Sequence, residues 1–74
     1  MSKSATQLLN EYMQSGHDVQ YEEYICRGHT VSSPQYGCRV WVNSAPLGTA
    51  NNKSSKKVAK ESAALEAAKS LLLV

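Results

Sequence analysis

Lys56, Lys57 and Lys60 stand in the run Ser54-Ser55-Lys56-Lys57-Val58-Ala59-Lys60, at spacings of one, three and four residues that bring them toward one side of a helix. The run opens the last helical pattern of the chain. There the macrodipole and the free N–H groups already carry about half a positive charge, so each lysine costs the isolated domain roughly 0.3–1 kcal/mol. Such an arrangement suits an anion, above all a phosphate, because the first N–H groups of a helix are themselves anion donors. Two other chemistries have less support in the spacing. Cys26, Cys38 and His29 are zinc-ligand types, but no C-x-x-C pair and no fourth ligand accompany them, so no metal is assigned. Glu22 and Glu23, adjacent on a strand, point to opposite faces, and no nucleophile and base stand together. No catalytic residues are assigned, and the chain is expected not to be an enzyme.

The chain has 74 residues, one small domain near the lower limit at which a hydrophobic core suffices without disulfides or metal. That leaves no room for a buried catalytic cleft, and neither a cofactor nor a small-molecule substrate is expected. Net charge is only +2, but six of the eight Lys and Arg follow position 38 while four of the six acids fall in residues 11–23. The two halves therefore differ in electrostatic sign. Two cysteines without an apolar leader fit a reduced intracellular protein, cytoplasmic or nuclear. The longest strongly apolar run, Leu71-Leu72-Leu73-Val74, is far too short to span a bilayer.

The elements that must position the lysines follow from periodicity. Residues 1–4 read as a disordered lead-in to a domain spanning 5–73. Ala5, Leu8, Leu9 and Tyr12 fall at i, i+3, i+4 and i+7, an amphipathic helix, with Gln7, Asn10 and Gln14 on its polar side, Glu11 at the margin and Gly16 closing it. Residues 19–27 read as a strand. Tyr36, Cys38, Val40 and Val42 share one face of a second strand, leaving Gly37, Arg39 and Trp41 on the other. Asn43-Ser44 reads as a hairpin turn into a short third strand around Pro46-Leu47-Gly48-Thr49, an edge strand because of the proline. Residues 49–55 then read as a loop, with Ser54 or Ser55 capping the final helix. In that helix Ala59, Ala63, Ala67 and Leu71 form one row flanked by Ala64, Ala68 and Leu72, a stripe that lets the backbone approach a sheet closely. The fold class is α+β, in the order α-β-β-β-α, with both helices on one face of a three-stranded antiparallel sheet.

From residue 5 to 72 this pattern resembles the double-stranded RNA-binding domain family. Lys56-Lys57-Val58-Ala59-Lys60 followed by Ala63-Ala64 and Ala67-Ala68 is similar to the family's KKxAK run into an alanine-rich helix. Leu9-Asn10-Glu11-Tyr12 resembles its first-helix pattern, and Pro34-Gln35-Tyr36 its proline-x-aromatic step into the second strand. The resemblance implies a non-catalytic module that reads A-form RNA by shape, largely independent of sequence, across two minor grooves and the intervening major-groove phosphates, roughly 16 base pairs in all. Lys56, Lys57 and Lys60, aided by Lys53, Ser54 and Ser55, would meet the phosphates. Gln7, Asn10 and Glu11 would meet 2′-hydroxyls and base edges in the first minor groove, and His29 the second.

The chain departs from the family pattern at two places. His29 directly follows Gly28, five residues ahead of Pro34, and Ser32-Ser33 occupy the family's usual histidine region. Gly48-Thr49-Ala50-Asn51-Asn52-Lys53 is longer than the family's usual glycine-x-glycine step. A second function of a different class is protein association, as a homodimer or with a protein partner. It would use the sheet face away from the alanine helix, where Tyr24, Arg39 and Trp41 are expected to form an exposed aromatic patch.

Overall fold

The computed structural model describes residues 3–27 and 34–73. They form α1 (Ala5–Gln14), β1 (Val19–Arg27), β2 (Gln35–Val42), β3 (Ala45–Lys53) and α2 (Lys56–Ser70). The sheet is antiparallel in the order β1-β2-β3, so β2 is central and the proline-bearing strand is indeed an edge.

Local chemistry sets the ends of α1. Ser4, assigned from sequence to the lead-in, is its N-cap, and its Oγ accepts the Gln7 N–H at 3.2 Å. At the other end Gly16 takes a φ of +102° just beyond Ser15, a left-handed step that glycine makes without Cβ strain. Ala5 and Leu9 are buried, while Tyr12 packs against the core and stacks on His17 with ring centroids 3.9 Å apart.

The register explains which faces are buried. Val19 pairs with Val42 and Tyr21 with Val40 on the helix side, whereas Gln20 pairs with Trp41, Glu22 with Arg39 and Tyr24 with Gly37 on the open side. Cys38, Val40 and Val42 are buried, as their alternation predicts. Asn43 and Ser44 form the β2–β3 turn at φ values of 50° and 70°, the left-handed pair a type I′ hairpin requires. Asn43 anchors the turn, its N–H donating to the Asp18 carbonyl at 2.7 Å and its Oδ1 accepting the Asp18 N–H at 3.0 Å. Ser44 gains no comparable side-chain bond among the described residues. Its left-handed geometry costs about 1–2 kcal/mol, against about 0.5–1 kcal/mol of extra unfolded-state freedom if glycine replaced it. Ser44→Gly is therefore expected to raise the melting temperature by a few degrees; a fall in thermal circular dichroism would refute this account of the turn.

β3 is longer than the sequence reading allowed. It runs to Lys53 instead of giving way to a loop at Thr49, because β2 offers a continuing partner and two bulges absorb the mismatch. One lies between the Val40 and Trp41 pairings and the other between Tyr36 and Cys38, where Asn52 takes a φ of +58°. The asparagines read as loop because their strand propensity is low, and pairing overrides it.

Ser55 caps the start of α2, its Oγ accepting the Val58 N–H at 3.2 Å. Ala59, Ala63, Ala64, Ala67 and Ala68 are all fully buried. The helix lies so close to β3 that a Cβ on Gly48 would collide with the Ala63 carbonyl oxygen and stand 2.7 Å from the Ala67 backbone nitrogen. Leu71 packs on the core, but Leu72 does not extend the stripe: it lies past the helix end with a φ of +60° and is 87% exposed. Among the described residues no helix is long and apolar enough to cross a membrane.

Besides the apolar packing of Ala5 and Leu9 in one core with the α2 alanines, a carboxylate ties α1 to α2. Glu61 Oε1 accepts the Ala5 N–H at 2.7 Å and Oε2 accepts the Thr6 hydroxyl at 2.9 Å. A carboxylate at a helix N-terminus satisfies free donors and complements the dipole.

Candidate functional site

The capped start of α2 presents its basic residues at the end of the domain where β3 finishes. Lys56 and Lys57 are exposed, Lys53 is half-buried on the last residue of β3, and Ser55 holds the cap. Among the described residues, no carboxylate forms an ion pair with Lys53, Lys56, Lys57 or Lys60. None of the four is therefore tied up in an ion pair, and two of them rest on aromatic rings. The Lys56 ammonium lies 5.9 Å from the centroid of Tyr36, and that of Lys60 lies 4.7 Å from Tyr21.

Lys60 is separated from its two neighbours in role as well as in height along the helix. With Tyr21 it lines an open cleft of about 380 Å³ between α1 and the sheet, whose other walls are Thr6, Gln7, Leu9, Asn10, Met13 and Val19. Gln7 and Asn10 are exposed along this cleft. The polar side of α1 and the basic start of α2 thus meet at Lys60. Nothing local in the sequence marks Tyr21 or Tyr36 as platforms for the lysines, since these partners come together only across the sheet–helix packing.

Glu11 is differently engaged. Both its oxygens hold the Lys3 ammonium, at 2.8 and 2.7 Å. The pair is about half exposed on both sides, and such pairs are worth at most about 1 kcal/mol. His29 lies outside the described residues.

Tyr21 lines the cleft and Cys38 lies in the core, and burial disfavours the charged form of each. Burial raises the Tyr21 phenol above its ordinary value, with Cys38 and Glu61 adding to the effect. Burial likewise raises the Cys38 thiol, helped by Glu23 and opposed by Lys60. A protonated, buried thiol is a packing residue, not a nucleophile. Cys26 stands on the opposite face, its sulfur 3.8 Å from the Asn51 side-chain oxygen, so the two sulfurs do not converge. Among the described residues no three metal-ligand side chains gather.

The open sheet face is knit together internally. The Arg39 guanidinium lies 5.8 Å over the Trp41 ring and 3.6 Å from a Glu22 oxygen that also accepts the indole N–H at 3.3 Å. Tyr24 covers Gly37 and donates its hydroxyl to Asn51. Trp41, expected to be exposed, is half-buried within this cluster.

A comparison with protein-family models matches residues 5–71 to the double-stranded RNA binding motif. Searches of curated proteins and of solved structures found no match.

Proposed function

The chain belongs to the double-stranded RNA binding motif family, whose domains are RNA-binding modules, and on that footing we propose that it reads A-form RNA by shape without catalysis. The observation that carries this reading is the meeting, at Lys60, of α1's exposed Gln7 and Asn10 with a lysine cluster that no described carboxylate holds in an ion pair. Lys56 and Lys57 bind major-groove phosphates from the start of α2, where the dipole and the N–H groups reinforce them. Lys53 and Ser55 contribute from the strand end and the cap. Gln7 and Asn10 enter the first minor groove, where amide side chains both donate to and accept from 2′-hydroxyls. Glu11 joins them by exchanging Lys3 for a 2′-hydroxyl donor, an exchange its weak exposed pair permits. Lys60, over Tyr21, takes the phosphate at the border of the two contacts. The second minor groove falls to His29.

Protein association through Tyr24, Arg39 and Trp41 is the weaker alternative. The polar and aromatic groups of that face already pair with one another within the sheet.

The expected result is binding of duplex RNA over duplex DNA of the same sequence, little dependence on base sequence, and affinity that falls steeply as salt rises. Fluorescence anisotropy with matched RNA and DNA duplexes measures all three. Equal affinity for the two duplexes, or no binding at low salt, would overturn the reading.

A further inference from the structure

We propose that Glu61 is a positioning residue for RNA recognition, fixing the distance between the minor-groove side of α1 and the lysines of α2. The inference rests on the RNA-binding reading above and extends it to a residue whose own charge repels phosphate. Shape reading requires two surfaces to fit a groove spacing simultaneously, and a misplacement of about an ångström at either surface forfeits the fit. The two surfaces here belong to different helices, separated in sequence by the whole sheet.

Glu61 is placed to hold them. It directly follows Lys60, and its two oxygens take the Ala5 N–H at 2.7 Å and the Thr6 hydroxyl at 2.9 Å. Gln7 is the next residue of α1, and Thr6, Gln7 and Lys60 line the same cleft. The carboxylate therefore ties the first turn of α1 to the turn of α2 that carries Lys60. As a bare charge it would be harmful: an acid beside the lysine cluster lowers the positive potential that attracts RNA. Electrostatics and positioning thus predict opposite consequences for changing it.

Two conservative variants separate them. Glu61→Asp keeps the charge but draws the carboxylate back by about 1.5 Å, too far to hold both bonds unless α1 shifts. Glu61→Gln removes the charge but keeps the reach, its oxygen accepting from Ala5 and its amide donating to Thr6, whose hydroxyl then turns to Ser4 Oγ at 3.2 Å. Affinities for matched RNA and DNA duplexes are measured by anisotropy over a salt series, well below each variant's melting temperature. Positioning predicts that Glu61→Asp loses several-fold in the RNA-to-DNA affinity ratio with its salt slope unchanged, while Glu61→Gln keeps the wild-type ratio. A purely stabilising role would lower both affinities together and leave the ratio alone. An unchanged ratio in Glu61→Asp, or an equal loss of ratio in Glu61→Gln, overturns the proposal. Failure of the wild-type domain to prefer RNA would instead overturn the reading on which it rests.

Discussion

Replacing Lys56 and Lys57 together with alanine is expected to weaken binding to every RNA duplex alike, by about 2 kcal/mol or roughly thirtyfold, taking about 1 kcal/mol for each screened phosphate contact. Because each lysine would displace a condensed counterion, the slope of log affinity against log salt should fall by nearly two. Discrimination between RNA and DNA should persist, since Gln7 and Asn10 are untouched. Stability should move the other way. Each lysine at the start of α2 opposes the dipole by roughly 0.3–1 kcal/mol. For Lys56 that is about balanced by its exposed contact with Tyr36, worth about 0.5–1 kcal/mol. Lys57 makes no such aromatic contact among the described residues, so its loss should leave the double variant as stable as the parent or slightly more so. A large fall in melting temperature would show that the lysines hold the fold together, and an unchanged salt slope would show that they do not touch phosphate.

Gly48→Ala is expected to be the most destabilising addition of a Cβ among the described glycines. The new Cβ would meet the Ala63 carbonyl oxygen and the Ala67 nitrogen, both backbone atoms of a regular helix that no rotamer change can move aside. α2 would have to lift from β3, opening the seam lined by its five buried alanines. Overpacking of this kind costs typically 1–3 kcal/mol and sometimes more, and rigid backbone neighbours place this site at the upper end. A chain of this length has about 4–11 kcal/mol of stability in all. A loss near 3 kcal/mol corresponds to a melting temperature lower by about 12–24 °C, readable by thermal circular dichroism. A drop of only a degree or two would mean that the helix does not sit on the strand as closely as described.

These two sites differ in how openly the sequence displays them. The lysine run is local, and its conflict with the dipole needs only the knowledge that a helix starts there. The alanine stripe is also local, and it implies close packing. What it packs against is not local, and Gly48 as the point of closest approach emerges only when β3 is placed beneath α2. The same limit explains the error over β3. Asn51 and Asn52 have the composition of a loop, and only the partner strand, with a bulge to absorb the extra residue, turns them into the end of a strand.

The sequence by itself determined the element order, the buried alanine face, the hairpin at Asn43-Ser44 and the basic start of α2, because each depends on periodicity or on a few adjacent residues. Tertiary structure alone decided that Lys60 rests on Tyr21 beside Gln7 and Asn10, that Glu11 is held by Lys3, and that Glu61 clasps the first turn of α1. The physical reason is range. Propensity, capping and amphipathicity act within a turn or two of the chain, whereas Glu61 and Ala5 are 56 residues apart and meet only after the sheet has brought both helices onto one face.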